Sequence, residues 1–348
     1  MSIRVSKTRR NWHRRTLFGT LAAIIVLALS FCGWVYRAKT QRDLNMKLLG
    51  AVRNDDTETA RLLLVQGADP NIRDVPEEQL SLWQQIRRAF HKKSQPTADQ
   101  PDTVLEMAVS FRDENIPLVK ALLDAGARPD DCTASSTPSY SHITPLMDGI
   151  SSGRVQTVQT LLDHGANIRA RDDSGAIPLN RRQWDRHGEP VAAQIKIVKL
   201  LVNAGSDVDT VDNAGRTPLM SVIGESTPPE VAQFLVERGA KVDARSVDGS
   251  SALTSAAAVG NEGIVQFLLA HGAEIDPIDV DGSTPLIMAF ECFHRPWEFS
   301  LPNLVKVLIS HGTDVNHRNK AGDTPLSIAR EHEWTETVQL LKAAGAKR

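Results

Sequence analysis

The chain has 348 residues, 41% of them hydrophobic and 5% aromatic, enough for one extended or two compact domains. Its net charge of −2 hides an asymmetry: ten of the 40 Lys and Arg but only one of the 42 acids, Asp43, lie at or before Lys47, giving +9 there and −11 beyond. A body that acidic excludes phosphate-backbone binding, which takes clustered Lys and Arg, so no nucleic-acid partner is expected.

Residues 1–16 form a basic amino-terminal segment carrying Arg4, Lys7, Arg9, Arg10, Arg14 and Arg15 and no acid. Leu17 to Tyr36 then runs twenty residues without a charge. As a helix it would span about 30 Å, the hydrocarbon thickness of a bilayer, with Trp34 and Tyr36 at headgroup level. The expectation is a single transmembrane helix over 17–36, retained as a signal-anchor. A cleaved signal peptide fits less well, because the apolar run exceeds about 7–15 residues and no small-x-small site follows. The segment LSFC ending at Cys32 lacks the small residue a lipoprotein box would need before its cysteine. The charge balance across the helix predicts a cytoplasmic amino terminus and an exported body, periplasmic if bacterial, in an inner or plasma membrane. Residues 37–43 read as a linker. Cys32, Cys132 and Cys292 contain no CxxC pair and no zinc spacing, so they read as small, buried or half-buried thiols.

From residue 44 to 348 one phrase returns: an apolar doublet, then Gly, usually Ala, then a polar-apolar-polar stretch. The marker glycines are Gly67, Gly126, Gly165, Gly205, Gly239, Gly272, Gly312 and Gly345. A second phrase, Thr-Pro-Leu or a relative, begins at Thr144, Ile177, Thr217, Ser251, Thr284 and Thr324, with a degraded copy at Thr103. Glycine to the next such phrase is twelve residues in five of seven cases, and the shortest return is 21, a period of 33. Threonine suits an N-cap and proline the first helical position; the glycine suits a left-handed helix end. A short helix, a turn, a second helix with i, i+3, i+4, i+7 apolar spacing and an extended β-finger complete the unit. No such unit buries its own apolar face, but a stack does.

With its period, its Thr-Pro-Leu and its Gly-Ala junction, the chain resembles the ankyrin-repeat family over residues 44–348. The resemblance implies an all-α repeat solenoid, a helix-turn-helix plus β-finger stack of about eight repeats, here preceded by the single transmembrane helix. It also implies protein binding without chemistry. One departure is the histidine the family often places after Thr-Pro-Leu: Met147, Met220, Ile287 or Ser327 stands there. The hydrogen bonds that histidine gives a helix start must be absent or replaced.

The acid-rich run from His271 to Asp281 poses a metal question, which alignment with the other copies answers as turn chemistry. His271 matches His164 and His311, and Asp281-Gly282 matches Asp248-Gly249. No metal, no cofactor and no enzyme motif is expected.

Information about function then lies in insertions, at about 75–102, 131–142, 182–190 and 291–302. Within the first, 76–93 reads as an amphipathic helix with Leu82, Trp83, Ile86 and Phe90 on one face and Arg87, Arg88 and Lys92 at its end. It docks on neighbouring repeats, or meets anionic lipid or a partner. Trp184 and Trp297 lie in two others, as binding anchors or as covers folded back on the stack. The finger acids, among them Asp207, Asp209, Asp279 and Asp281, are solvated or form an acidic strip for a partner. The expected function is a membrane-tethered interaction module binding an unidentified protein through its concave face, fingers and Trp-bearing insertions. Two alternatives stand beside it: an inhibitor or immunity-type protein blocking an enzyme or toxin, and an assembly factor for a membrane complex.

Overall fold

The computed structural model describes residues 34, 36–74, 102–110, 114–132, 142–181, 191–224, 227–291 and 301–347. Within them eight helical pairs follow one another. They are α1 (36–53) with α2 (Thr57–Val65), α3 (Val104–Ser110) with α4 (Ile116–Asp124), and α5 (Pro145–Ser151) with α6 (Val155–Asp163). A 3-10 turn (Pro178–Asn180) pairs with α7 (Val191–Asn203), and α8 (Pro218–Val222) with α9 (Pro229–Glu237). The last three are α10 (Ala252–Ala258) with α11 (Glu262–Ala270), α12 (Pro285–Glu291) with α13 (Leu301–Ser310), and α14 (Pro325–Glu331) with α15 (Thr335–Ala343).

The starts of the inner helices explain the variation in Thr-Pro-Leu. Thr144 and Thr217 accept from the N–H of Met147 and Met220, with proline in the first turn. Ser251 with Thr254, and Thr324 with Ser327, go further and form reciprocal capping boxes. So does the copy that looked degraded: Glu106 N–H donates to Thr103 Oγ1 at 3.1 Å and Thr103 N–H to Glu106 Oε2 at 2.7 Å. The bonds a histidine would give are thus replaced at three starts. Ile177 has no hydroxyl, makes no side-chain cap, and there the helix shrinks to a single 3-10 turn. Asn180 instead reaches forward, its Nδ2 donating to Thr210 O and Arg216 O at 3.2 and 3.1 Å.

The outer helices all end alike. Four residues before each marker glycine stands a leucine: Leu63, Leu122, Leu161, Leu201, Leu235, Leu268, Leu308 and Leu341. Its carbonyl accepts from the residue after the glycine, as when Ala240 N–H donates to Leu235 O at 3.0 Å while Gly239 N–H donates to Val236 O at 2.9 Å. That is a Schellman motif, and it needs the left-handed φ of +95° at Gly239. The leucine is buried in every copy, and the following small residue is buried in six and half-buried in two, Ala273 and Ala346, so the Gly-Ala phrase is a helix stop and a core contact at once. The core runs unbroken through all eight pairs, and Phe290 at its carboxyl end is fully buried with its ring edge-on to Trp334, 5.6 Å between centroids.

Two expectations need correction. Among the described residues no helix is long and apolar enough to cross a membrane, so the single transmembrane helix, the signal-anchor, the membrane assignment and the single-pass location with exported repeats are withdrawn. Of 17–36, only Trp34 and Tyr36 lie within the described residues. The helix described beside that span is α1, which exposes Arg37, Lys39, Arg42, Asp43 and Lys47 and buries Leu48, Leu49 and Val52 against the first unit. Too charged for hydrocarbon itself, it belongs to the stack: Gln41 Nε2 donates to Gly67 O at 2.7 Å and Asn45 Oδ1 accepts from Asp69 N–H at 2.8 Å. The second correction concerns the fingers. Apart from an isolated antiparallel bridge between Arg73 and Thr103, those with described tips are built of turns rather than extended strand.

Neighbouring fingers are joined at their bases by a row of side-chain acceptors four residues after the marker glycine. Asn71, Asp130, Asp209, Asp243, Asp276 and Asn316 accept from Arg128, Asn167, Lys241, Glu274, Asp314 and Lys347 N–H at 2.7–3.1 Å. Aspartate and asparagine both supply the acceptor oxygen, and the two asparagines add a bond from Nδ2 to the next marker glycine, Asn71 to Gly126 O at 3.1 Å and Asn316 to Gly345 O at 3.3 Å. Arg169 occupies the row between the third and fourth fingers and has no acceptor to offer. Arg169→Asn is expected to add the missing rung and raise the unfolding free energy by about 0.5–1.5 kcal/mol, read from the urea midpoint at constant m-value; an unchanged midpoint would show that the rung carries no net energy.

Candidate functional site

The finger tips are the part of the stack where sequence, geometry and exposure meet. Three residues before each tip glycine a short polar side chain folds the turn onto itself. Asp212 Oδ1 accepts from Ala214 and Arg216 N–H, both at 2.9 Å, and Asp279 Oδ1 from Asp281 and Ser283 N–H at 2.9 and 2.7 Å. Asp172 and Asn319 do the same in their fingers. Ser246 replaces the acid in one finger, and its hydroxyl donates to Asp248, holding that carboxyl below the usual range. Four residues before the glycine, the guanidinium of Arg171, Arg245 or Arg318 ties the turn by donating to the carbonyl of Gly175, Gly249 or Gly322.

The tips then bond to one another. Asn213, Val247, Val280 and Lys320 N–H donate to Ser174, Ala214, Asp248 and Asp281 O at 2.8–2.9 Å, linking five successive fingers. At Gly215, Gly249 and Gly282 a Cβ would sit 3.0–3.1 Å from the next tip's backbone, so the close approach needs glycine as much as the positive φ does. The result is a rigid comb whose teeth expose Val211 (45%), Val247 (77%), Ile278 (52%) and Val280 (52%).

Of the acids singled out in the sequence, Asp209 serves the base row, accepting from Lys241 N–H and lying 3.5 Å from Lys241 Nζ. Asp207 Oδ1 accepts from Asp209 N–H at 2.9 Å. Asp279 folds its tip, and Asp281 is exposed at the same tip. The structure therefore brings these four together two by two, in two fingers separated by a third in which Lys241 and Arg245 balance Asp243 and Asp248. Trp83, Arg87, Arg88, Trp184 and Trp297 lie outside the described residues, as does the amphipathic segment 76–93. The exposed valines and isoleucine were missed, and the signal was there: aligned on the tip glycine, positions two and four residues earlier hold β-branched residues where burial does not call for them.

The histidines before the marker glycines cap helices. His164, His271 and His311 each donate from Nδ1 to the carbonyl four residues back at 2.8–2.9 Å. Among the described residues no group of three or more His, Cys, Asp or Glu is placed to hold a metal ion. His164 adds a bond from Nε2 to Asp124 Oδ1 at 3.1 Å; the Thr160 carbonyl first, and Asp124 second, push its pKa up. A raised native pKa contributes stability that is fully present below the unfolded value of about 6.5 and is lost as pH rises through the native one. The gap in urea midpoint between the wild type and His164→Gln is therefore expected to be widest in mild acid and to close above neutrality. A gap independent of pH would refute the assignment.

The family model for ankyrin repeats in three copies matches residues 48–172 and 226–297, and the single ankyrin-repeat model matches 281–320. The human neurogenic locus notch homolog protein 4 is 33% identical over 138 residues, covering 35% of this chain and 6% of that protein. The E3 ubiquitin-protein ligase KEG of Arabidopsis thaliana is 27% identical over 143 residues, 41% of this chain and 8% of that one. The chain thus spans less than a tenth of the length of these relatives. A crystal structure of an ankyrin repeat domain from Acinetobacter baumannii AYE aligns with a TM-score of 0.46 at 27% identity, over 58% of this chain and 98% of that one.

Proposed function

We propose, from the premise that this chain belongs to the ankyrin-repeat family, that it binds a protein partner along the finger side of its stack. Ankyrin repeats are in general protein-protein interaction modules, and the observation that supports binding on this side is the comb of bonded tips with four exposed β-branched residues. Such a surface is rigid before a partner arrives, so little ordering entropy is lost on contact. The function is binding rather than catalysis, because the acids that crowd the fingers are engaged with backbone amides: Asp209 holds the next finger and Asp212 and Asp279 hold their own. Asp207 and Asp281 flank the contact surface in this reading, and Trp83, Arg87, Arg88, Trp184 and Trp297 extend it on the insertions.

The test is site-specific photocrosslinking in cells. A photoreactive side chain at Val247, on a tip, is expected to give a discrete protein adduct, while one at Gln233, exposed on the outer helix α9, gives none. Adducts from Gln233 and not from Val247 would move binding to the other side of the stack.

A further inference from the structure

The tips carry a pattern that goes beyond exposed apolar surface. Four residues before the tip glycine, five successive fingers hold Arg171, Val211, Arg245, Ile278 and Arg318. All five are exposed, so cation and apolar residue alternate from unit to unit. Two residues before the glycine, Val247 and Val280 broaden the apolar part and Lys320 ends it.

The cations are not neutralised by this frame. Arg171 donates to Gly175 O and Val211 O, Arg318 to Gly322 O and Lys320 to Val280 O, all main-chain carbonyls; of the row only Arg245 has an ion-pair partner, Glu274. The nearby carboxylates are partly engaged: Asp173 faces His142 and Asp248 accepts from Ser246 and Ser250, while Asp281 stands at the rim. The row therefore presents positive, apolar, ion-paired, apolar, positive along one line, with Arg245 and Glu274 as the pair in the middle. Packed helices of adjacent units lie about 8–10 Å apart, and the tips bonded to them advance by about the same step. A polyproline II segment, with three residues per turn and about 3.1 Å rise per residue, covers that distance in about three residues and keeps every third side chain on one face.

We propose that the tips from Arg171 to Arg318 dock a polyproline II segment of a partner protein in which acidic and apolar side chains alternate at every third residue. The proposal rests on the finger-side binding reading and adds the partner's chemistry to it. Glutamate or aspartate at the two ends of the segment meets the free N–H groups of Arg171 and Arg318, the central one competes with Glu274 for Arg245, and the leucine- or valine-like side chains cover Val211 with Val247 and Ile278 with Val280. An apolar patch of this kind, on a surface otherwise strongly charged, is the ordinary mark of an interaction site.

The experiment uses the full chain and a fluorescent peptide of about 13 residues with glutamate and leucine alternating at every third position and serine between. A second peptide has lysine in place of each glutamate. The glutamate peptide is expected to bind, with affinity falling as salt rises, and the lysine peptide to bind at least about tenfold more weakly. Val211→Ser with Ile278→Ser, both outside the core, is expected to weaken the glutamate peptide about tenfold without changing the thermal midpoint. Arg171→Gln with Arg318→Gln should weaken it similarly and flatten the salt dependence. Equal binding of both peptides, no binding of the glutamate peptide, or indifference to the Val211/Ile278 pair overturns the proposal. If Val247 still crosslinks a protein in cells after such a result, finger-side binding stands and only the partner's chemistry is wrong.

Discussion

Phe290→Ala is expected to lower the unfolding free energy by about 3–5 kcal/mol, the range for emptying a fully buried aromatic site. Phe290 has no exposed surface and meets Trp334 of the last unit edge-on, and Trp334 in turn stacks on His332 at 4.7 Å. The substitution thus removes packing inside the seventh unit and the anchor of the eighth. In a linear array each unit is stabilised by itself and by its neighbours only. The loss should therefore be local: amide exchange accelerates in α12 to α15 while α4 to α6 keep their protection. A cost below about 1.5 kcal/mol would mean that the site collapses without a cavity. Uniform loss of protection along the whole chain would mean that the array unfolds as one body.

Gly249→Ala is expected to cost about 2–5 kcal/mol from two separable sources. The left-handed φ of +80° costs an L-residue about 1–2 kcal/mol. The new Cβ would also lie 3.0 Å from Asp279 Cα and 3.1 Å from Ile278 O, main-chain atoms that cannot swing aside, and relieving that overlap costs about 1–3 kcal/mol more. Gly322→Ala separates the two sources, because its φ is +93° but nothing lies within 4 Å of the added atom. The difference between the two alanine variants reads the contact alone, by urea titration, with the exchange rate of Val280 N–H as a local witness of its bond to Asp248 O. Equal costs at the two glycines would show that the tips give way freely, and the rigid comb would not survive as a description.

The fold was legible in the sequence because its two punctuation marks are local chemistry. Leucine four residues before glycine, with a small residue after it, is a helix stop wherever it occurs, and eight recurrences define a stack. Thr103 was less legible: without proline it looked like a decayed copy, yet Glu106 three residues on completes the cap. The apolar stretch near the amino terminus invited a membrane reading from length and hydropathy, whereas the helix described beside it carries charges and joins the first unit. For the candidate site, composition showed acids in the fingers but not their use. Asp209 and Asp279 face backbone amides, and only the geometry separates them from Asp281, which faces water. Val247 and Val280 were overlooked because a β-branched residue in an extended segment raises no question until its neighbours are seen to leave it uncovered.

Arg169 has a consequence for the mechanics of the whole array. It interrupts the base row beside the place where Ile177 leaves a helix start without a side-chain cap and a 3-10 turn stands for a helix. The third and fourth fingers are therefore held together at their tips alone, by Asn213 N–H on Ser174 O and the Arg171 guanidinium on Val211 O, where the neighbours from the fourth finger to the seventh are held at base and tip. Load passing along the finger side at this step is carried by those tip bonds and by the helix core beneath them.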